Sequence, residues 1–240
     1  MKHSLHNLTT AVETLQTASI EQLSDALWLE RLVRSVGLTW DPLRNEGNEE
    51  WQIEDNELGG INQTPEQFVP ALLLLKNRRI NNIIDVGTWN GWTISFIVSY
   101  LLRFNENVSA VTIDRSSHRS VEVRSSDVLG RLPILYCFAD SRSISCPEHA
   151  LKSVDLTIID AGHAYADAKS DWEKFGSQAR CCFFHDVNDD QCAKDQRSVK
   201  HLWAELKTDP VLSHKKKVEL FEHPSSKSLM GIGLLIDEAT

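Results

Sequence analysis

The sequence is poor in cysteine and in basic residues, and each shortage narrows the class of protein. Its five cysteines are an odd number without a C-x-x-C spacing, which argues against a disulfide framework and against a thiolate zinc site. Lysine and arginine together number 25 against 34 aspartates and glutamates, so the formal charge is −9. A nucleic-acid binder usually carries a basic face, and we therefore expect no nucleic-acid partner.

Long apolar runs are also missing. No window reaches the roughly 18 apolar residues of a membrane-spanning helix, and the first residues lack the apolar core of a signal peptide. We therefore expect a cytoplasmic protein with no membrane partner. A chain of 240 residues suffices for one large α/β core with appendages. We divide it into an N-terminal helical extension or lid, residues 1–60, and a main domain, residues 61–240.

The N-terminal region has a helical pattern of apolar residues. The spacing predicts a helix over about residues 20–36, where Ser19 and Gln22 can form a capping box. A second helix is predicted to begin after Thr64, with Gln67 completing another capping box. The first of these helices is either a lid or the contact of a homo-oligomer, and the sequence leaves both alternatives open.

From residue 80 onward, apolar β-branched runs alternate with segments that can be helical. The five runs are residues 80–86, 108–113, 133–138, 154–159 and 181–184. Such alternation predicts a parallel sheet with helices on both faces. The tail carries two further strand-like runs, residues 215–223 and 228–236, which we expect to form an antiparallel pair at the sheet edge.

Each predicted parallel strand is followed by residues that carry chemistry. In order along the chain they are Asp85 and Gly87, then Asp114, then Asp140, then Asp160 and His163, and last His185 and Asp186. Open parallel sheets bind ligands beyond the carboxyl ends of their strands, so these side chains are expected to line one site. Each aspartate taken alone can instead be a helix cap.

The turn after the first strand lies in the segment IIDVGTWNGWTIS, residues 83–95. A dinucleotide fingerprint would require glycine at positions 89 and 92, but both positions are tryptophan. The pattern therefore favours a ligand that has a ribose and no phosphate, with Asp114 accepting both ribose hydroxyls. A nicotinamide-dependent reductase remains a weaker alternative.

Taken with VTIDRSS, CFADS, VDLTIIDAGHAYADAKSDW and CCFFHDVND, this segment resembles the successive motifs of class I S-adenosylmethionine-dependent methyltransferases. The last two segments resemble the branch of small-molecule O-methyltransferases that act on sugars, antibiotics and related hydroxylated metabolites. The likeness spans roughly residues 60–236. It implies a Rossmann-like, doubly wound, mostly parallel seven-stranded α/β sheet, and it makes residues 61–240 the methyltransferase domain.

The resemblance also implies a function. The chain is expected to bind S-adenosylmethionine and to methylate a hydroxyl of a small-molecule acceptor. Gly87 and Gly91 would cradle the methionine end, and Asp140 with Ser141 would flank the adenine. The full set of expected cofactor-binding residues is Asp85, Gly87, Thr88, Asn90, Gly91, Asp114, Arg115, Asp140, Ser141 and Asp160. One departure is Trp89, which stands where the family has its middle glycine.

His163 is the candidate general base, because a neutral imidazole suits removal of the hydroxyl proton, and Asp160 is a second candidate catalytic residue. In related O-methyltransferases, acids at these strand ends hold a divalent metal. Here the corresponding set is Asp160, His185 and Asp186, which suits Mg²⁺, or Mn²⁺ given the imidazole. Reactions with and without metal stay open, as does a catalytically inactive binding protein. Asp171, on the next helix, is expected to be a surface charge.

Overall fold

The computed structural model describes residues 5–38, 60–117, 120–145, 153–188, 197–222 and 230–238. The helices are α1 (Leu5–Thr17), α2 (Ala26–Val36), α3 (Pro65–Leu75), α4 (Trp92–Leu101), α5 (Val121–Ser125), α6 (Tyr165–Asp171) and α7 (Val199–Thr208). The strands are β1 (Asn82–Val86), β2 (Ser109–Asp114), β3 (Ile134–Phe138), β4 (Leu156–Ile159), β5 (Cys181–His185), β6 (Lys215–Leu220) and β7 (Ile232–Asp237). No helix within these residues is long and apolar enough to cross a membrane.

The seven strands form one sheet in the order β3-β2-β1-β4-β5-β7-β6. Strands β1 to β5 are parallel, whereas β7 pairs antiparallel with β5 and β6 pairs antiparallel with β7. The predicted doubly wound sheet with an antiparallel C-terminal edge pair is therefore confirmed. The order reverses between β1 and β4, and this is the position at which open α/β sheets form their ligand crevice.

Apolar side chains cover both faces of the sheet. On one face, α1 to α4 share a single core with the strands, in which Leu15, Phe68 and Phe96 are fully buried. On the other face, Phe184 of β5 packs against Trp172 and Trp203. The N-terminal helices thus belong to the main core, and the lid and homo-oligomer roles of residues 1–60 stay predictions, partly because residues 39–59 lie outside the described ones.

One predicted helix start and one predicted capping box are wrong. Ser19 and Gln22 do exchange reciprocal hydrogen bonds of 2.9 and 3.2 Å, but only a short 3₁₀ turn follows them. The α-helix α2 begins at Ala26, because the Asp25 carboxylate accepts the amide protons of Leu27 and Trp28 and caps it there.

The second error concerns the capping box predicted for α3, whereas its predicted start after Thr64 is confirmed. Thr64 occupies the N-cap position, but its hydroxyl makes no cap hydrogen bond. The predicted partner, Gln67, points elsewhere, since its Oε1 accepts the amide proton of Gly231 in the segment before β7. The helix begins at Pro65, whose fixed φ suits the first helical position. A tertiary contact has therefore replaced the expected capping box.

Candidate functional site

A cavity of about 540 Å³ lies at the carboxyl ends of the parallel strands, a volume within the usual range for small-molecule sites. Its walls come from the turns after β1 to β4 and from the segment before α3. Six aspartates and two arginines line it: Asp85, Asp114, Asp140, Asp160, Asp167, Asp171, Arg115 and Arg142. The cavity is therefore acidic, and it favours a ligand that carries positive charge.

The turn between β1 and α4 contains three residues with positive φ at alternate positions. They are Gly87 at 103°, Trp89 at 48° and Gly91 at 81°. A Cβ on Gly87 would lie 2.1 Å from the backbone oxygen of Asp160, so only glycine allows β1 and β4 to approach so closely here. Trp89 has no such freedom, and a left-handed backbone costs a tryptophan on the order of 1–2 kcal/mol.

Asp114, at the end of β2, holds this strained turn in place. Its Oδ2 accepts the amide proton of Trp89 at 2.7 Å, and its Oδ1 accepts that of Ser116 at 2.8 Å. Each carboxylate oxygen can accept a second hydrogen bond, so capacity remains for two ligand hydroxyls. The carboxylate that the sequence assigned to the ribose is thus fixed by backbone donors and lines the cavity.

Asn90 and Thr88 also line the cavity, but the Asn90 side chain is committed within the protein. Its Oδ1 accepts the amide proton of Trp92, and its Nδ2 donates to the backbone oxygen of Gly60. The first amide of α4 is therefore already capped, which leaves this helix start less suited to a phosphate. Contacts of Thr88 and Asn90 with a cofactor stay predictions.

Asp85 lies beneath the turn and is 5% exposed. Burial raises the pKa of its carboxyl to about 7, with a further contribution from the charge of Asp160 and a partial offset from the Thr112 hydroxyl. Asp85 is therefore poised to exchange a proton near neutral pH, which the sequence did not indicate.

The turn after β3 lines the cavity on the same side as Asp114. Arg142 binds the Asp140 carboxylate through Nε at 3.0 Å and Nη2 at 2.8 Å, and these bonds hold the pKa of Asp140 well below its usual range. Ser141 lines the cavity beside them. The expectation that Asp171 is a surface charge is wrong: it is 3% exposed and lines the cavity, and burial raises the pKa of its carboxyl.

The turns after β4 and β5 bring four titratable side chains together. His163 Nδ1 lies 2.6 Å from Asp186 Oδ2, and this hydrogen bond raises the pKa of the imidazole. His163 lines the cavity and its side chain is 45% exposed, whereas that of Asp186 is 8% exposed. Asp186 also has a positive φ of 59°, a strained backbone of the kind that clusters at functional sites.

His185 lies behind this wall and is 2% exposed. Its Nδ1 lies 3.1 Å from Asp160 Oδ1 and 3.3 Å from Asp186 Oδ1, yet neither ring nitrogen makes a well-directed hydrogen bond within the described residues. Burial alone would lower the pKa of His185, but the two carboxylates outweigh it and hold that pKa well above its usual value. Burial likewise raises the pKa of Asp186, and the two imidazoles reverse this and hold it below its usual range.

These residues also form a candidate metal centre. One ligand atom each from Asp160, His185 and Asp186 lies within 4.8 Å of the others. A buried imidazole nitrogen without a directed hydrogen bond, facing two carboxylates, provides donors that a divalent cation can bind. The two carboxylates can therefore be balanced either by protonated imidazoles or by a cation bound to neutral His185. The geometry fits a metal but does not require one.

The structure brings the predicted strand-end residues to one edge of the sheet, and it adds residues that the sequence missed. Arg142, Asp167 and Asp171 line the cavity, and Gln63 reaches Asp160. Gln63 is 1% exposed and lies just before α3, where its Nε2 donates to Asp160 Oδ2 at 2.7 Å. No local pattern indicated this contact, because the two residues are 97 positions apart.

Comparison with known proteins shows similarity of fold. No protein-family model and no curated protein matches the chain. An O-methyltransferase from Bacillus cereus, solved with SAH, is 15% identical with a TM-score of 0.55, covering 96% of this chain and 97% of that one. TomG, an O-methyltransferase of tomaymycin synthesis from Streptomyces achromogenes solved with SAM, is 14% identical with a TM-score of 0.50 and 99% coverage of both chains.

A third similar structure is a methyltransferase with a different substrate. An rRNA methylase from Streptococcus thermophilus is 10% identical with a TM-score of 0.51, covering 71% of this chain and 96% of that one. At such identities the likeness establishes the fold alone. The chain has the class I S-adenosylmethionine-dependent methyltransferase fold, as the sequence motifs predicted.

Proposed function

We propose that this chain, which has that fold, transfers a methyl group from S-adenosylmethionine to a hydroxyl of a small-molecule acceptor. The observation that carries the proposal is the arrangement of the cavity. Asp114 lies at one end, held by two backbone amides, and the His163–Asp186 pair lies at the other. One end suits a ribose and the other suits removal of a proton.

The charge of the cavity supports this donor over a dinucleotide. Six aspartates against two arginines favour a cationic sulfonium and disfavour the two negative charges of a pyrophosphate. One of the amides at the start of α4 that could bind a phosphate, that of Trp92, is already bound by Asn90. These observations weigh against the nicotinamide-dependent reductase.

His163 is the proposed general base. Because its Nδ1 faces Asp186, the neutral imidazole carries its proton on Nδ1 and presents Nε2 to the acceptor hydroxyl. Bound S-adenosylmethionine supplies an electrophilic methyl group, and the acceptor oxygen forms its new bond to carbon as the carbon–sulfur bond breaks. The hydroxyl proton moves to His163 Nε2. The rate is expected to rise with pH as His163, whose pKa is raised, becomes neutral.

The cofactor residues assigned from the sequence keep their proposed roles. The turn from Gly87 to Gly91 is proposed to hold the methionine end, Asp114 with Arg115 the ribose, and Asp140 with Ser141 the adenine. If a metal takes part, Asp160, His185 and Asp186 would hold it, and it would orient the acceptor hydroxyl and lower its pKa. His185 and Asp186 lie behind the cavity wall, so the mechanism without metal has equal geometric support.

A small hydroxylated acceptor fits the net charge of −9 better than a nucleic acid does. The test is calorimetry with S-adenosylmethionine and with NAD⁺, followed by transfer of a radiolabelled methyl group to a panel of hydroxylated sugars and phenols. We expect binding of S-adenosylmethionine alone, and label in a hydroxylated compound. Binding of NAD⁺ in its place would refute the proposal, and donor binding without transfer across a broad panel would favour the inactive alternative.

A further inference from the structure

Gln63 connects three parts of the cavity wall through one side-chain amide. Its Nε2 donates to Asp160 Oδ2 at 2.7 Å, and its Oε1 accepts the Thr93 hydroxyl at 2.9 Å. Gln63 precedes α3, Thr93 lies in the first turn of α4, and Asp160 follows β4. The Gln63 amide therefore links α4, the helix after the β1 turn, to the Asp160 carboxylate.

The hydrogen-bonding capacity of each partner fixes the orientation of this amide. A carboxylate oxygen can only accept, so the NH₂ group of Gln63 must face Asp160. That leaves Oε1 for Thr93, whose hydroxyl can donate. With Oδ2 held by Gln63, the other carboxylate oxygen, Oδ1, faces His185 Nδ1 at 3.1 Å. The rotation of the Asp160 carboxylate is thus restricted from both sides.

A second buried glutamine, four residues further along in α3, makes a contact outside the cavity and therefore serves as a control. Gln67 is 0% exposed, but it binds the Gly231 amide and does not line the cavity, whereas Gln63 does. The segment at Gln63 is also held by Asn90, whose Nδ2 donates to the Gly60 oxygen. The turn between β1 and α4 therefore holds the backbone near Gln63, and Gln63 in turn holds the Asp160 carboxylate.

We propose that Gln63 is a positioning residue that sets the orientation of the Asp160 carboxylate toward His185 and Asp186. This inference rests on the proposed function, in which Asp160 serves catalysis or holds a metal. The neutral amide aligns the carboxylate without cancelling its charge, and so leaves that charge available to a cation. A glutamate at position 63 would repel Asp160, and a leucine would leave Oδ2 without its donor.

The test compares Gln63→Leu, Gln63→Glu and the control Gln67→Leu with the wild type. Crystal structures with S-adenosylhomocysteine report the Asp160 orientation, electron paramagnetic resonance reports Mn²⁺ affinity, and calorimetry reports S-adenosylmethionine affinity. We expect the carboxylate to turn away from His185 in both Gln63 variants, and Mn²⁺ binding to weaken about tenfold. Donor affinity should change less than about threefold, since the proposed donor contact at Asp114 keeps its backbone donors in these variants. Gln67→Leu should alter only the melting temperature.

An Asp160 carboxylate that keeps its wild-type orientation in the Gln63 variants would overturn the inference, whatever the melting temperatures. If Gln63→Leu does not fold, Gln63→Glu, which keeps the side-chain length, gives the same readout. If the wild type binds no Mn²⁺, the crystallographic orientation alone decides. If the wild type binds no S-adenosylmethionine, the proposed function fails, while the orientation of Asp160 in ligand-free crystals still tests Gln63.

Discussion

The two ends of the cavity hold their carboxylates in different ways. At the β1–β2 end, the Asp114 carboxylate is held by two backbone amides, that of Trp89 in the turn after β1 and that of Ser116 just after β2. At the β4–β5 end, Asp160 and Asp186 are held by side chains, namely Gln63, His163 and His185. The first end is thus fixed by the course of the backbone, whereas the second depends on the protonation of two imidazoles or on a cation.

This difference separates the expected roles. The geometry of a carboxylate fixed by backbone donors does not depend on the protonation of neighbouring side chains, which suits recognition of ribose hydroxyls. A cluster of coupled side chains responds to protons and cations, which suits proton removal. Substitutions at the β1–β2 end should therefore change donor affinity, and substitutions at the β4–β5 end should change the rate of methyl transfer or cation binding. Each of the following experiments can contradict this expectation.

The largest effect is expected at His163. Replacing it with Ala should slow methyl transfer about 10³-fold, because a positioned general base contributes roughly 10²- to 10⁴-fold. Affinity for S-adenosylmethionine should be unchanged, since the proposed donor contact at Asp114 lies at the other end. Single-turnover transfer and calorimetry measure the two quantities, and His214→Ala, whose side chain is 60% exposed, is the control. Equal losses of rate and donor affinity would contradict the separation.

Asp85 gives the next effect, on stability. Its folded-state pKa of about 7 lies above the ordinary 3.8, so the folded protein retains a proton that the unfolded chain releases. This stability is fully present below about pH 4 and is lost as the pH rises through about 7. Relative to Asp85→Asn, the wild type should lose about 4 kcal/mol of unfolding free energy across that window.

Urea denaturation at several pH values between about 4 and 8 measures this difference, with Asp127→Asn, an exposed aspartate, as the control. Parallel pH profiles for the wild type and Asp85→Asn would show that the buried carboxyl does not titrate in this window. The outcome also tests the comparison, because Asp85 is the one residue of the β1–β2 end whose charge is expected to depend on pH near neutrality among those described.

Asp114→Ala should weaken S-adenosylmethionine binding about 100-fold, or about 2.7 kcal/mol, because two charge-assisted hydrogen bonds are lost. It also leaves the strained Trp89 amide without its acceptor. Asp114→Asn keeps one acceptor oxygen, so its affinity for S-adenosylmethionine should lie between those of the wild type and Asp114→Ala. Calorimetry provides the measurement, and wild-type affinity in Asp114→Ala would remove this carboxylate from the donor site.

The same contrast explains what could be predicted from the sequence. The strands, and the position of Asp114 at the end of one of them, could be predicted because an acid directly after an apolar run is a local sequence pattern. The Asp25 cap was missed because Ser19 and Gln22 offered a competing local pattern. The contacts of Gln63 with Asp160, and of Gln67 with Gly231, come from residues far apart along the chain, and Asp171 is buried by tertiary packing. Helix α1 was not predicted, since its threonines dilute the apolar pattern.

The smallest effect tests the cation at the β4–β5 end. Mn²⁺ at about thirty times its dissociation constant should add about 2 kcal/mol to the unfolding free energy of the wild type. Mn²⁺ should act more strongly than Mg²⁺, because the donor set includes the His185 imidazole. His185→Ala and Asp186→Asn should abolish the increase, whereas Asp114→Asn should retain it. Thermal unfolding with and without the cation measures the change. An increase that survives in His185→Ala would mean that the cation binds elsewhere. If the wild type shows no increase, protonated His163 and His185 balance the charges of Asp160 and Asp186 without a cation.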